Sequence, residues 1–329
     1  MNGHSLIDGI LWVWFALTAL AAAYVGYDQF KGGSGPRARP LAMTTAMTTM
    51  RWGWVLVTLY TGPFGFSVYW FLRRARQTAG QSHPSLWEES IESTIHCVAG
   101  DATGILVAAA VGNWLRLSMG VELVAEYVAG FCVGLFLFQA LCMKHAHGGS
   151  YRRAVWGTVL PEALSMNTVM AGMIPVMIIL MSRDMSAMEP TSVRFWGTMS
   201  LSFVVGAVIT LPVNWWLVAQ GLKHGTGGEE RARHCQTVSV ASKLKVTVLT
   251  LAILAGGIFL AARYGDFSLR AGGSMDNTSM SSRGHAKVDG HALALDGMAL
   301  MCIEPQPRAS LRGPLILTSP YPLPAATTT

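Results

Sequence analysis

Residues 246–262 read VTVLTLAILAGGIFLAA, an uncharged run held between Lys245 and Arg263. At 1.5 Å per residue a helix of that length covers about 26 Å, close to the roughly 30 Å of bilayer hydrocarbon. Six longer apolar windows precede it, at 6–27, 52–72, 95–115, 123–143, 159–182 and 195–220. The windows at 95–115 and 159–182 are weaker because they carry polar residues. In lipid every backbone N–H and C=O must find a partner within its own helix or in a closed barrel. The alternating pattern of barrel strands is absent, so the windows read as helices. The expected fold class is all-α, a polytopic transmembrane helix bundle of about seven spans.

Composition agrees. Of 329 residues, 51% are apolar and only 13% charged, against about 25% charged in a soluble domain. Mean hydropathy is +0.39. A soluble enzyme, a disordered chain and a disulfide scaffold are poor fits. The cysteines are Cys97, Cys132, Cys142, Cys235 and Cys302, an odd number with no C-x-x-C pair, which argues against a disulfide framework and a thioredoxin-type motif. The net charge is +6, but the Lys and Arg sit between apolar runs, where they act as topology determinants and meet anionic headgroups. No basic stripe with interleaved aromatics exists, so no nucleic-acid partner is expected. The first window has no Lys or Arg before it and carries Asp8, so it reads as a retained span rather than a cleaved signal.

The expected division is a transmembrane domain over 1–262 and a tail over 263–329. The tail is rich in Gly, Ser, Met and His, then in Pro and Thr, and buries too little apolar area to offset its ordering entropy, so it reads as disordered. Orientation follows from Lys and Arg. With seven alternating spans, one side holds Arg73, Arg74, Arg76, Lys144, Arg152, Arg153, Lys223, Arg231, Arg233, Lys243 and Lys245. The other holds Lys31, Arg37, Arg39, Arg51, Arg116, Arg183 and Arg194. Eleven against seven predicts a cytoplasmic N-terminus and an outside tail. The first loop runs against the bias.

The sharpest motif is STIHCVAGDATG at 93–104. It sets His96, Cys97 and Asp101 near the inner end of a span, with Cys97 and Asp101 on one helical face. An ionised carboxylate at that depth needs a partner or a wet cavity. Thiolate, imidazole and carboxylate together suit a soft or borderline metal. Gly100 and Gly104 let a second helix approach closely. A methionine stripe follows at Met166, Met170, Met173, Met177 and Met181, joined by Glu162 one turn earlier. Thioethers bind Cu(I) and fit hard ions badly, while Met also fills gaps in ordinary packing. Further methionines lie at Met43, Met47 and Met50, at Met185 and Met188, and in the tail. Glu126 sits nearer the outer face, where snorkelling or capping would account for it. His145 and His147, and His224 in LKHG, read as anchors at the inner headgroups. A haem held between spans needs two in-membrane histidines and only His96 lies clearly within one. H-E-x-x-H, G-x-S-x-G and a P-loop are absent from the sequence, so a membrane protease, a lipase and an ATPase are poor fits, and neither haem nor nucleotide is expected.

The strings LYTGPFGFSVYW at 59–70, STIHCVAGDATG at 93–104, VMAGMIPVMIILMSRDMSAMEPTSVRFWG at 169–197 and LPVNWWLVAQGLKHG at 211–225 resemble an uncharacterised bacterial polytopic membrane family, domain of unknown function 4396, over roughly residues 1–230. The resemblance implies a helical inner-membrane protein and supplies no activity. It directs attention to His96, Cys97, Asp101, Asn214 and His224 as members of the shared strings. Three functions follow as expectations. The first is transition-metal handling, with copper as the ion, carried by His96, Cys97, Asp101 and the stripe. The second is a non-catalytic accessory or assembly subunit of a membrane complex, whose polar residues would pair among themselves. The third is a proton-coupled transporter of a small solute, with Asp101 and Glu162 as the relay.

Overall fold

The computed structural model describes residues 3–31, 41–79, 85–144, 148–223 and 239–266, and every regular element among them is helical. We number the helices α1 Gly3–Lys31, α2 Leu41–Thr61, α3 Pro63–Ala79, α4 Leu86–Trp114, α5 Met119–Met143, α6 Tyr151–Arg183, α7 Val193–Ala219 and α8 Val240–Tyr264. Six of them, α1 and α4 to α8, are long and apolar enough to cross a membrane. The all-α bundle stands as expected. The last helix ends at Tyr264, two residues past the expected boundary, and the tail beyond Asp266 lies outside the described residues.

Burial sorts the helices into layers. In α6 and α4, 78% and 67% of the apolar window is buried, against 6% in α1 and 17% in α8. The outer helices point Ile10, Trp12, Leu20, Val248 and Phe259 away from the bundle. In lipid that exposure costs nothing, because hydrocarbon is as apolar as the side chains. The two windows that looked weak in the sequence are the innermost helices. Polar residues are tolerated there because neighbouring helices, not lipid, surround them. Gly100 and Gly104 do what their spacing predicts: a Cβ on either would collide with the backbone of α5, at Gly134 and Ala129.

The segment 52–72 departs from expectation. It is broken at Gly62, whose φ is +62°, into the end of α2 and the start of α3. The two arms fold back on each other. Trp54 stacks on Tyr69 with ring centroids 5.2 Å apart, and Gly65 sits against Thr58 and Thr61. Register against α1 gives the direction of each arm. Down α2, Trp52 meets Phe30 and Val55 meets Gly26, and at the turn Gly62 meets Trp14 and Thr18. Back along α3, Phe66 meets Tyr24, and Tyr69 and Arg73 both reach Asp28. The pair is a re-entrant hairpin that turns near the middle of α1. Each arm from Met50 or Leu72 to the turn has ten to twelve residues, about 15–18 Å of helix, or half a bilayer. Such a turn is tolerated at membrane depth only when shielded by protein, and Thr61 and Gly62 are buried.

In place of seven expected spans the described residues hold six long apolar helices and one hairpin. Arg194, at the start of α7, pairs with Asp8 near the start of α1 and with Asp184 just after α6, both at 2.7 Å. Asp266, just past α8, donates its backbone N–H to Ser182 Oγ near the end of α6. The helical part thus begins and ends at the same end of the bundle. The opposite end carries Asp28, Arg73, Arg76 and Glu92, with Arg76 paired to Glu92 at 2.6 Å. Met43, Met47 and Met50, in the first half of α2, lie at this opposite end.

Candidate functional site

The centre of the bundle holds a buried ammonium. After α7 the chain turns at Gly221, φ +68°, and the N–H groups of Leu222 and Lys223 both donate to the carbonyl of Leu217. This is a glycine-terminated helix end of the Schellman kind. Its effect is to aim Lys223 back into the bundle, where the residue is 0% exposed. Its Nζ donates to Ser165 Oγ at 2.6 Å, to Cys97 Sγ at 2.8 Å and to Glu162 Oε2 at 3.2 Å, with Asn214 Oδ1 at 3.5 Å. Ser165 also donates to Asn214 Oδ1 at 2.5 Å, and Asn214 donates its amide to Thr94 Oγ1 at 3.1 Å. Helices α4, α6 and α7 each contribute to this one cluster.

Beside the cluster lies Asp101, one turn along α4 from Cys97 and 0% exposed. Neither of its carboxyl oxygens has a hydrogen-bond partner among the described residues, and Glu162 Oε1 has none either. Both carboxyl groups press on the same point: a Cβ on Gly134 would collide with Asp101 Oδ1 and with Glu162 Oε1. At Gly134 helix α5 switches to a π-helical turn, Gly134–Gln139. Such turns recur at functional sites because they re-aim a helix locally. Here the absent side chain and the altered turn leave room for two carboxyl groups against one ammonium.

Four residues singled out in the sequence therefore meet: Cys97, Asp101, Glu162 and Asn214. His96 does not join them. It packs edge-on against Phe138, ring centroids 5.5 Å apart, and its Nε2 is unpartnered among the described residues. Met166, Met170 and Met173 are fully buried within the main hydrophobic core. The Met166 methyl group lies against Gly130 and Met173 against Gly206. Met177 and Met181 line a small cavity at the far end of α6, together with Glu126. Glu126 does not snorkel: it is 2% exposed, and Oε2 has no partner among the described residues. His224, His145 and His147 lie outside the described residues. Among the described residues no group of three His, Cys, Asp or Glu side chains is arranged to hold a metal ion.

Lys223 is the residue that sequence reasoning missed. It stood in a loop and entered the tally of topology charges. The available signal was Gly221, a left-handed stop two residues earlier, which returns the chain toward the helix it has just left. A larger cavity of about 520 Å³, lined by Asp28, Lys31, Tyr69, Arg73 and Arg76, opens at the mouth of the hairpin and does not include the cluster.

Residues 86–223 match the family model described as Domain of unknown function (DUF4396). The match starts on the first residue of α4 and ends on Lys223. It encloses every member of the buried cluster and leaves α1, the hairpin and α8 outside, narrower than the resemblance over 1–230. No curated protein and no solved structure matches the chain.

Proposed function

We propose that this multi-pass membrane protein is a proton-coupled transporter whose proton switch is Lys223, Glu162 and Asp101. The observation that carries the reading is Asp101, buried with neither carboxyl oxygen bonded. Glu162 Oε2 receives the ammonium of Lys223, so one charge is compensated and a second is not. An isolated buried carboxylate costs several kcal/mol unless it is paired or protonated. A proton held between Asp101 and Glu162 closes the count. Its release leaves a state that must rearrange or take up another cation, which is the requirement for coupling. The accessory-subunit reading differs in that the proton between Asp101 and Glu162 would stay in place. Copper at His96, Cys97 and Asp101 gains no support, because the ammonium of Lys223 already caps the sulfur and His96 faces Phe138.

The test is proton movement in proteoliposomes, followed with an enclosed pH-sensitive dye while pools of small solutes and soft-metal ions are supplied outside. The expected result is a proton flux evoked by one pool and lost in Asp101→Asn, a variant that keeps the shape. No evoked flux from any pool overturns the reading.

The same proposal carries an orientation. With the hairpin in place, the connections at the Lys223 end of the bundle hold Lys31, Arg37, Arg39, Arg51, Arg73, Arg74, Arg76, Lys144, Arg152, Arg153, Arg231, Arg233, Lys243 and Lys245, leaving out the buried Lys223. The connections at the other end hold Arg116, Arg183 and Arg194. Fourteen against three favours the Lys223 end as cytoplasmic. Both the N-terminus and the tail then face outward across the cell's inner membrane.

A further inference from the structure

At the end of the bundle opposite Lys223, methionines from four segments converge. Met119 comes from the first turn of α5, Met177 and Met181 from the last turns of α6, Met188 from the short turn after it, and Met199 from α7. All five are buried and line one cavity of about 20 Å³. Glu126 lines the same cavity from α5, with its buried Oε2 unpartnered among the described residues. Glu122, one turn earlier on α5, stands at the same wall.

Packing alone explains methionines in a core. It does not explain a buried carboxylate oxygen set among thioethers with no donor to meet it among the described residues, since such a group costs free energy until a cation or proton arrives. The lining selects which cation. Thioethers bind soft ions and discriminate against hard ones. The volume accommodates a single water-sized particle. A bare ion fits that volume, and the thioethers favour a soft one. Glu126, with Glu122 at the same wall, supplies the negative charge that a cation needs. We infer that Met119, Met177, Met181, Met188 and Met199 with Glu126 form a site for a soft monovalent cation, Cu(I) or its surrogate Ag(I). The site stands on its own geometry and does not depend on the Lys223 cluster.

The test uses the purified full-length protein in detergent under anaerobic conditions, titrated with Cu(I) against a chromophoric Cu(I) chelator. The tail also carries Met and His, so the reference protein has Met275, Met280, Met298 and Met301 replaced by Leu. One equivalent should remain tightly bound in that reference. Adding Met181→Leu and Met199→Leu, which nearly conserve volume, should weaken it at least about tenfold, and Glu126→Gln by about tenfold. Copper-edge X-ray absorption on the reference protein should show a shell dominated by sulfur, a readout that needs no cavity variant to fold. Absence of a bound equivalent, a shell of nitrogen and oxygen alone, or undiminished affinity in a folded Met181→Leu, Met199→Leu protein would each overturn the site.

Discussion

Lys223 shows how much one side chain decides. Breaking a buried ion pair by removing one partner typically costs about 3–5 kcal/mol, because the other charge is left stranded. Replacing both partners with apolar or neutral groups of similar size is often nearly neutral. Lys223→Met should therefore depress thermal stability in detergent strongly, and Lys223→Met combined with Glu162→Gln should recover most of the loss. Equal melting temperatures for wild type and Lys223→Met would show that the ammonium is not held as described. A second residue-level prediction concerns Asp184. Burial pushes its carboxyl group up, but hydrogen bonds from Ser186 and the guanidinium of Arg194 outweigh that and hold it below the usual carboxylate range. A depressed acid stabilises the fold at pH above its unfolded value, and that contribution disappears as pH falls through the folded value. The outer tie of Asp184 to Arg194 should be intact at neutral pH and lost only under strong acid. Asp184→Asn should flatten that acid limb in melting curves, and an unchanged limb would remove Asp184 from the account. At this scale Cys97, Asp101, Glu162 and Asn214 were legible, since polar residues inside apolar windows stand out. Lys223 was not, because a lysine in a loop looks alike whether it points to water or inward. Only the backbone turn at Gly221 distinguishes the two.

Among the elements, the hairpin α2–α3 was the part least legible in the sequence. A hydropathy window reports that residues 52–72 lie in an apolar environment. It is a sum, so it does not report whether the chain passes through or turns back. The turn was nevertheless written locally, as Gly62-Pro63, a dipeptide that marks turns. Pro63 has no N–H to continue α2, and Gly62 takes the left-handed backbone that a side chain disfavours by about 1–2 kcal/mol. A Cβ there would also meet Trp14 and Thr18 at under 3 Å. Gly62→Ala should thus lower stability by more than that backbone penalty alone. Gly9→Ala offers the control, because nothing lies within 4 Å of a Cβ at that position. Both variants can be compared by yield of folded protein and by thermal melting. A Gly62→Ala protein as stable as Gly9→Ala would mean that the chain does not turn there. The innermost helices were legible in kind and misjudged in rank. Polar residues weakened the apolar signal of α4 and α6, yet polarity is what a helix can carry when other helices enclose it.

For the whole molecule the consequence of the hairpin is sidedness. Seven alternating spans put the start of α1 and the 116–118 connection on opposite sides. Six crossings and a hairpin would put them on the same side, because Met119, which follows the α4–α5 connection, lines one cavity with Met188 and Phe195 beside the Asp8, Asp184 and Arg194 cluster. The charge tally turns the same way. Reassigning Lys31, Arg37, Arg39 and Arg51 to the other side raises a weak bias to a steep one, and the first loop ceases to be the exception. Three exposed positions decide between the topologies: Ser5 in α1, Leu115 after α4 and Gln77 in α3. Each is replaced singly by cysteine and probed with a membrane-impermeant thiol reagent against the native-cysteine background. Ser5→Cys and Leu115→Cys should both label in intact cells, and Gln77→Cys only once the membrane is opened. If Ser5→Cys instead requires opening while Leu115→Cys does not, the 52–72 segment crosses. In that case the hairpin and the outward-facing N-terminus both fall.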